Sequence, residues 1–129
     1  MIYTATLPAQ SAGGADVFTL AGVYSPTFYS GDTVTDIEIV APPGYSTVSG
    51  AAANNVTISV RQVRSGSLVQ TFASLTTTTG VDFAAEAPVS IPITAQPVLL
   101  TGDVIDVRMH QNGSGQPIGA GLFVCVYVS

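Results

Sequence analysis

Along the C-terminal quarter of the chain, Ile105, Val107 and Met109 alternate with Asp106, Arg108 and His110. A period of two makes one face apolar and the other wet, the pattern of a half-buried strand. Gly102-Asp103 ahead of it is a turn signal, because Gly supplies a positive φ and Asp can bond its own backbone two residues on. Residues 122–128 read differently. Leu122, Val124, Val126 and Val128 share one face, and Phe123, Cys125 and Tyr127 share the other. Both faces are apolar, so this strand is expected to be central or to meet another subunit. A short apolar run also suits a buried helix, but the valines, Phe and Tyr bounded by Gly favour a strand. The two segments are expected to form a hairpin across the Gly-rich stretch 111–121.

The rest of the chain repeats this pattern. Residues 1–16 hold a short alternating piece, 2–7, then Pro8 and the small-residue run 10–15. The run reads as a joint. The piece before it is either a first strand or an arm that pairs with another chain. Residues 17–24 and 33–40 read as strands, the second with Ile37 and Ile39 inward and Asp36 and Glu38 outward. Pro42-Pro43-Gly44 then ends it, since Pro cannot donate to a ladder. Residues 56–63 form the cleanest amphipathic strand, with Val56, Ile58 and Val60 in and Thr57, Ser59 and Arg61 out. The return strand 68–75 makes a hairpin with Gly66 at a positive φ. Short strands are expected at 81–83 and 89–93, the latter demoted to an edge by Pro88 and Pro92. Residues 98–100 lead into the last pair. No convincing helix is found. About seven to nine short strands with turns roughly every 8–14 residues predict an all-β fold. The expected form is a single antiparallel β-sandwich, jelly-roll-like, with a closed barrel as the alternative. It would span residues 17–129, with 1–16 as arm or first strand plus joint.

Composition narrows the function. The chain has 129 residues, three arginines, no lysine, eight acids and a formal net charge of −5. Only 9% of its residues are charged, against roughly 25% in ordinary domains. A surface of Ser, Thr, Gly, Ala and Asn is poorly protected against sticking to neighbours, which suits life in an assembly. Three scattered arginines cannot supply the phosphate contacts of a nucleic-acid binder. The first residues lack the features of a signal peptide and no apolar run reaches membrane-helix length. The expectation is a soluble protein made in a cytoplasm, with no membrane partner. Cys125, the single cysteine, is expected to be a small core residue.

Candidate chemistry is sparse. His110 is the only histidine, so a catalytic triad would need it, and no Gly-x-Ser-x-Gly elbow accompanies it. One His and one Cys nearly exclude a nitrogen–sulfur metal site. Asp32 with Asp36, and Asp103 with Asp106, are the calcium candidates; their spacing departs from an EF-hand loop, and acids at strand starts are more often a solvated face. In both pairs the first acid belongs to a Gly-Asp turn ahead of a strand and the second lies inside that strand, a weak internal echo. Tyr24, Phe28, Tyr29 and Tyr45 lie in or beside loops, where they either plug the sandwich ends or present platforms for a sugar. No cofactor is expected, and the chain is not expected to be an enzyme.

The strand Gly102-Asp103-Val104-Ile105-Asp106-Val107, the Gly-rich loop after it and the apolar final strand resemble small virion proteins of tailed bacteriophages. So do the small size, the missing lysine and the Thr/Ala/Gly-rich surface. The family is that of capsid decoration, or cement, proteins with a β-sandwich or barrel core. The resemblance implies a protein on the exterior of an icosahedral virion, often a homotrimer at three-fold positions. There it would clamp neighbouring copies of the major capsid protein against internal pressure. No residue roles carry over. The interface candidates are Ile2, Tyr3 and Leu7 of the N-terminal piece, and Phe123 and Tyr127 of the last strand. The rival expectation is a carbohydrate- or receptor-binding module of a tail fibre.

Overall fold

The computed structural model describes residues 1–25 and 32–129. Among these residues, eight strands run in order: β1 (Ile2–Thr6), β2 (Val17–Val23), β3 (Val34–Val40), β4 (Asn55–Arg64), β5 (Ser67–Thr76), β6 (Val89–Ser90), β7 (Val104–Asn112) and β8 (Phe123–Val128). They form two antiparallel sheets, β1-β8-β3-β6 and β2-β7-β4-β5, with no helix among the described residues. The two sheets stay open rather than closing into one barrel.

The pairing has one logic. β1 pairs with β8, β2 with β7, β3 with β6 and β4 with β5. The chain is thus one long two-stranded ribbon whose tip is the β4–β5 hairpin, rolled so that β3 also meets β8 and β4 meets β7. That is the jelly-roll order of strands. At the tip, Ser65 (φ 52°) and Gly66 (φ 78°) both take the left-handed conformation. This is the two-residue turn whose twist matches the flanking strands.

Alternation fills the space between the sheets. Ala5, Ile37, Ile39, Val124, Val126 and Val128 face inward from one sheet, and Val56, Ile58, Val60, Ile105, Val107 and Met109 from the other. Each larger aliphatic side chain so buried is worth about 1.5–3 kcal/mol. The β5 edge is covered where Thr94 N–H bonds Phe72 C=O (2.8 Å) and Ser74 N–H bonds Pro92 C=O (3.2 Å). Pro88 and Pro92 hold β6 to two residues at the sheet edge.

Several expectations change. β7 and β8 lie in different sheets, so the last two strands are no hairpin; residues 113–122 carry the chain across the sandwich. Residues 2–6 pair along their whole length with β8 of their own chain. Residues 81–83 contribute only a bridge between Phe83 and Val48. In residues 98–100, which lead into β7, Leu99 is buried while Val98 and Leu100 stand in solvent. Cys125 points outward from β8, half-buried, opposite Thr4 and Glu38. The loop residues Pro26, Phe28, Tyr29 and Gly31 lie outside the described residues.

Candidate functional site

The four calcium candidates are committed to protein partners. Asp103 is buried at the sandwich end that holds both chain termini. Its Oδ1 accepts from Arg64 Nε (2.7 Å), and its Oδ2 from Arg64 NH2 (2.9 Å), Gln62 Nε2 (2.7 Å) and Leu100 N–H (2.8 Å). The Arg64 guanidinium, followed by the Leu100 N–H and the Gln62 amide, holds this carboxyl far below the usual carboxylate range against the opposing effect of burial. Gln62 also donates to Val98 C=O (2.9 Å), so the network ties loop 97–103 to β4. Asp106 takes a forked pair from Arg61, Nε at 2.7 Å and NH2 at 2.8 Å, directly across the β4–β7 ladder. Asp103 and Asp106 are three apart at a strand start, so they face opposite ways and cannot share an ion. Asp32 accepts from the Tyr24 hydroxyl (2.7 Å), and Asp36 from the Ile37 N–H (2.9 Å). Among the described residues, no three His, Cys, Asp or Glu side chains group as metal ligands would.

The interface candidates divide. Ile2, Phe123 and Tyr127 stand on the outer face of the first sheet, where Ile2 and Asp36 flank Tyr127, and Thr6 and Val40 flank Phe123. Leu7 is in the core, because its N–H bonds Leu122 C=O (2.7 Å) and continues the β1–β8 pairing inward. Tyr3 turns toward the core side and closes the edge between the sheets. Its ring lies against Gly22, where a Cβ would sit 2.5 Å away. Tyr24 is buried too, so it offers no platform to a sugar.

The outer face of the second sheet was not singled out by sequence reasoning. Cross-strand register builds it in rows. Val23, Val104, Val63 and Leu68 form one row; Leu20, Asp106, Arg61 and Thr71 the next; Phe18, Arg108, Ser59 and Ser74 the third. Leu20 is 72% exposed and Phe18 53%. The Arg61 guanidinium lies 4.5 Å over the Phe18 ring while its fork holds Asp106. Cation, ring and carboxylate are thereby locked into one stack. The Asp16 carboxylate sits 2.6 Å from His110 Nδ1 and 3.8 Å from Arg108 Nε. All three arginines and the histidine therefore belong to β4 and β7. The first sheet's outer face instead shows Asp36 and Glu38. The signal was present in residues 17–24, whose apolar side chains occupy both alternation phases, more than one core can take.

At the end of the sandwich away from the termini, the Asp82 carboxylate accepts from the Gly50 N–H (2.7 Å), and most of the remaining ties are made by amides. Gln111 Nε2 donates to Gln10 Oε1 (2.9 Å) and Gln116 C=O (2.8 Å), and its Oε1 accepts from Gln116 N–H (2.7 Å) and Gly13 N–H (3.3 Å). Gln10 Nε2 reaches Met109 C=O (3.1 Å) and Ala15 C=O (3.0 Å). Asn112 Nδ2 bonds Asn55 Oδ1 (3.0 Å) and Thr57 Oγ1 (2.9 Å). This network fixes the loops around a groove of about 740 Å³ between residues 42–49 and 115–120. No family model, no curated protein and no solved structure matches the chain.

Proposed function

We propose that this chain is a structural virion protein, a capsid decoration protein. It works as a homotrimer on the exterior of a shell and holds neighbouring capsid subunits together. One observation carries the assembly reading: a rigid sheet face on which Phe18, Leu20, Val23 and Leu68 stand exposed around the Arg61–Asp106 fork. Large apolar side chains gathered on one exposed face mark interaction surfaces. A buried arginine–aromatic cluster ringed by smaller contacts is how interface energy concentrates. The virion part of the reading rests on the resemblance in size, composition and strand pattern. The jelly-roll order agrees with it but is shared with lectin domains and assigns no function by itself.

The test is light scattering of the purified chain beside Leu20→Asp. The wild type is expected as a trimer and the variant as a folded monomer. A second arm asks whether the chain sediments with virus particles from the culture that produces it, and whether Leu20→Asp is lost from them. A wild-type chain that stays monomeric and leaves no copies on particles overturns the proposal.

A further inference from the structure

The groove at the amide end has a chemistry that assembly does not use. Its walls are two loops, 42–49 and 115–120. Among the described residues no charged side chain lines it: the walls are Pro, Gly, Ala, Ser, Thr and Val with Tyr45 and Gln116. Its volume of about 740 Å³ falls within the range of ligand pockets.

The groove is held open by the fold. Gln116 Nε2 donates to Ser49 C=O, its Oε1 accepts from the buried Thr77 hydroxyl (2.8 Å), and its N–H is held by Gln111. One residue thus ties the two walls to each other and, through Thr77 just after β5 and Gln111 of β7, to the second sheet. Tyr45, half-buried, donates its hydroxyl to Gly119 C=O (3.2 Å). A Cβ at position 119 would lie 3.2 Å from the Tyr45 ring, so the glycine lets the facing loop close on that ring. Tyr45 and Gln116 are therefore fixed before any ligand arrives, which lowers the ordering cost of binding.

We propose that this groove binds a neutral carbohydrate. An anionic ligand finds no cation on the walls and a cationic ligand no carboxylate, and burying either charge unpaired is costly. The Tyr45 ring and Pro42 and Pro117 offer flat apolar surface to the C–H face of a sugar ring. The exposed Ser46 and Thr47 hydroxyls and the loop backbone offer partners to its hydroxyls. A polyproline peptide is the other occupant such a surface suggests, but those grooves are lined by several aromatics, and among the described residues this one has only Tyr45.

The experiment is a glycan array of neutral and acidic oligosaccharides, followed by amide NMR titration of the best neutral glycan, sialyllactose and decaproline. The expected result is saturable shifts of residues 42–49 and 115–120 by the neutral glycan alone. Thr47→Arg, an exposed substitution that fills the groove, is expected to weaken binding about tenfold or more with melting temperature and oligomeric state unchanged. Retained affinity in Thr47→Arg, shifts mapping elsewhere, no neutral glycan bound, or equal shifts with decaproline or sialyllactose would overturn the assignment. The titration is independent of whether the chain forms a trimer, so this inference and the assembly reading fail separately.

Discussion

The two ends of the sandwich are closed by different chemistry. At the end holding the termini, a buried carboxylate, Asp103, gathers Arg64, Gln62 and the Leu100 N–H, and Val98 and Leu100 stand exposed on the loop it secures. At the other end the same structural task falls to neutral amides, Gln10, Gln111 and Gln116. A charged network is strong but tied to pH and to exclusion of water. An amide network is weaker and indifferent to pH. The first therefore weakens in acid as its carboxylate is protonated, and the second does not.

Removing the charged hub is the hardest blow. Asp103→Ala takes the acceptor from the Arg64 fork and the Leu100 N–H and one of two acceptors from the Gln62 amide, and is expected to cost about 2–3 kcal/mol in a urea melt. This falls short of a fully buried ion pair because the Arg64 side chain remains 41% exposed. The pH dependence follows from the sign of the Asp103 shift. Its pKa is lowered on folding, so its stabilisation is complete above the unfolded value of about 3.9. That stabilisation is lost as pH falls from there through the folded value. The wild type should lose stability between about pH 4 and pH 2 more steeply than Asp103→Asn. An equal slope in the two proteins would break the comparison.

Gln111→Ala strikes the opposite end. It strips partners from Gln10, Gly13 and Gln116 and is expected to cost about 1–2 kcal/mol, by the same amount at pH 3 and pH 7. A cost that changed with pH would show that the two ends are not chemically distinct. At the hairpin tip, Ser65→Asn puts a residue more tolerant of positive φ into the turn and is expected to stabilise by about 0.5 kcal/mol. Ser65 lies beside Arg64 at the Asp103 end, but its own side chain belongs to neither network, so the substitution serves as the control.

How much of this was legible in the chain depends on the reach of each interaction. The β4–β5 hairpin was readable because Val56, Ile58 and Val60 alternate with polar residues and a Gly-containing turn follows at once. The pairing of β7 with β8 was misread because alternation reports which face is wet, not which sheet a strand joins. In a rolled ribbon consecutive strands usually cross over. Leu7 read as part of a possible arm because the backbone bond that draws it inward comes from Leu122, far along the chain. Asp103 looked like turn chemistry beside Gly102, and its partner Arg64 lies 39 residues away. Gln10, Gln111 and Gln116 carry no pattern at all. Their network exists only because the fold brings two loops and a strand end together.

The exposed second-sheet face is the claim on which the functional account turns, and one measurement addresses it directly. Light scattering should find the wild-type chain as a trimer. Leu20→Asp, which is expected to change unfolding free energy by no more than about 0.5 kcal/mol, should be a monomer. A trimer that survives the new charge on that face would contradict the account and move the interface to the opposite sheet, where Ile2, Phe123 and Tyr127 stand.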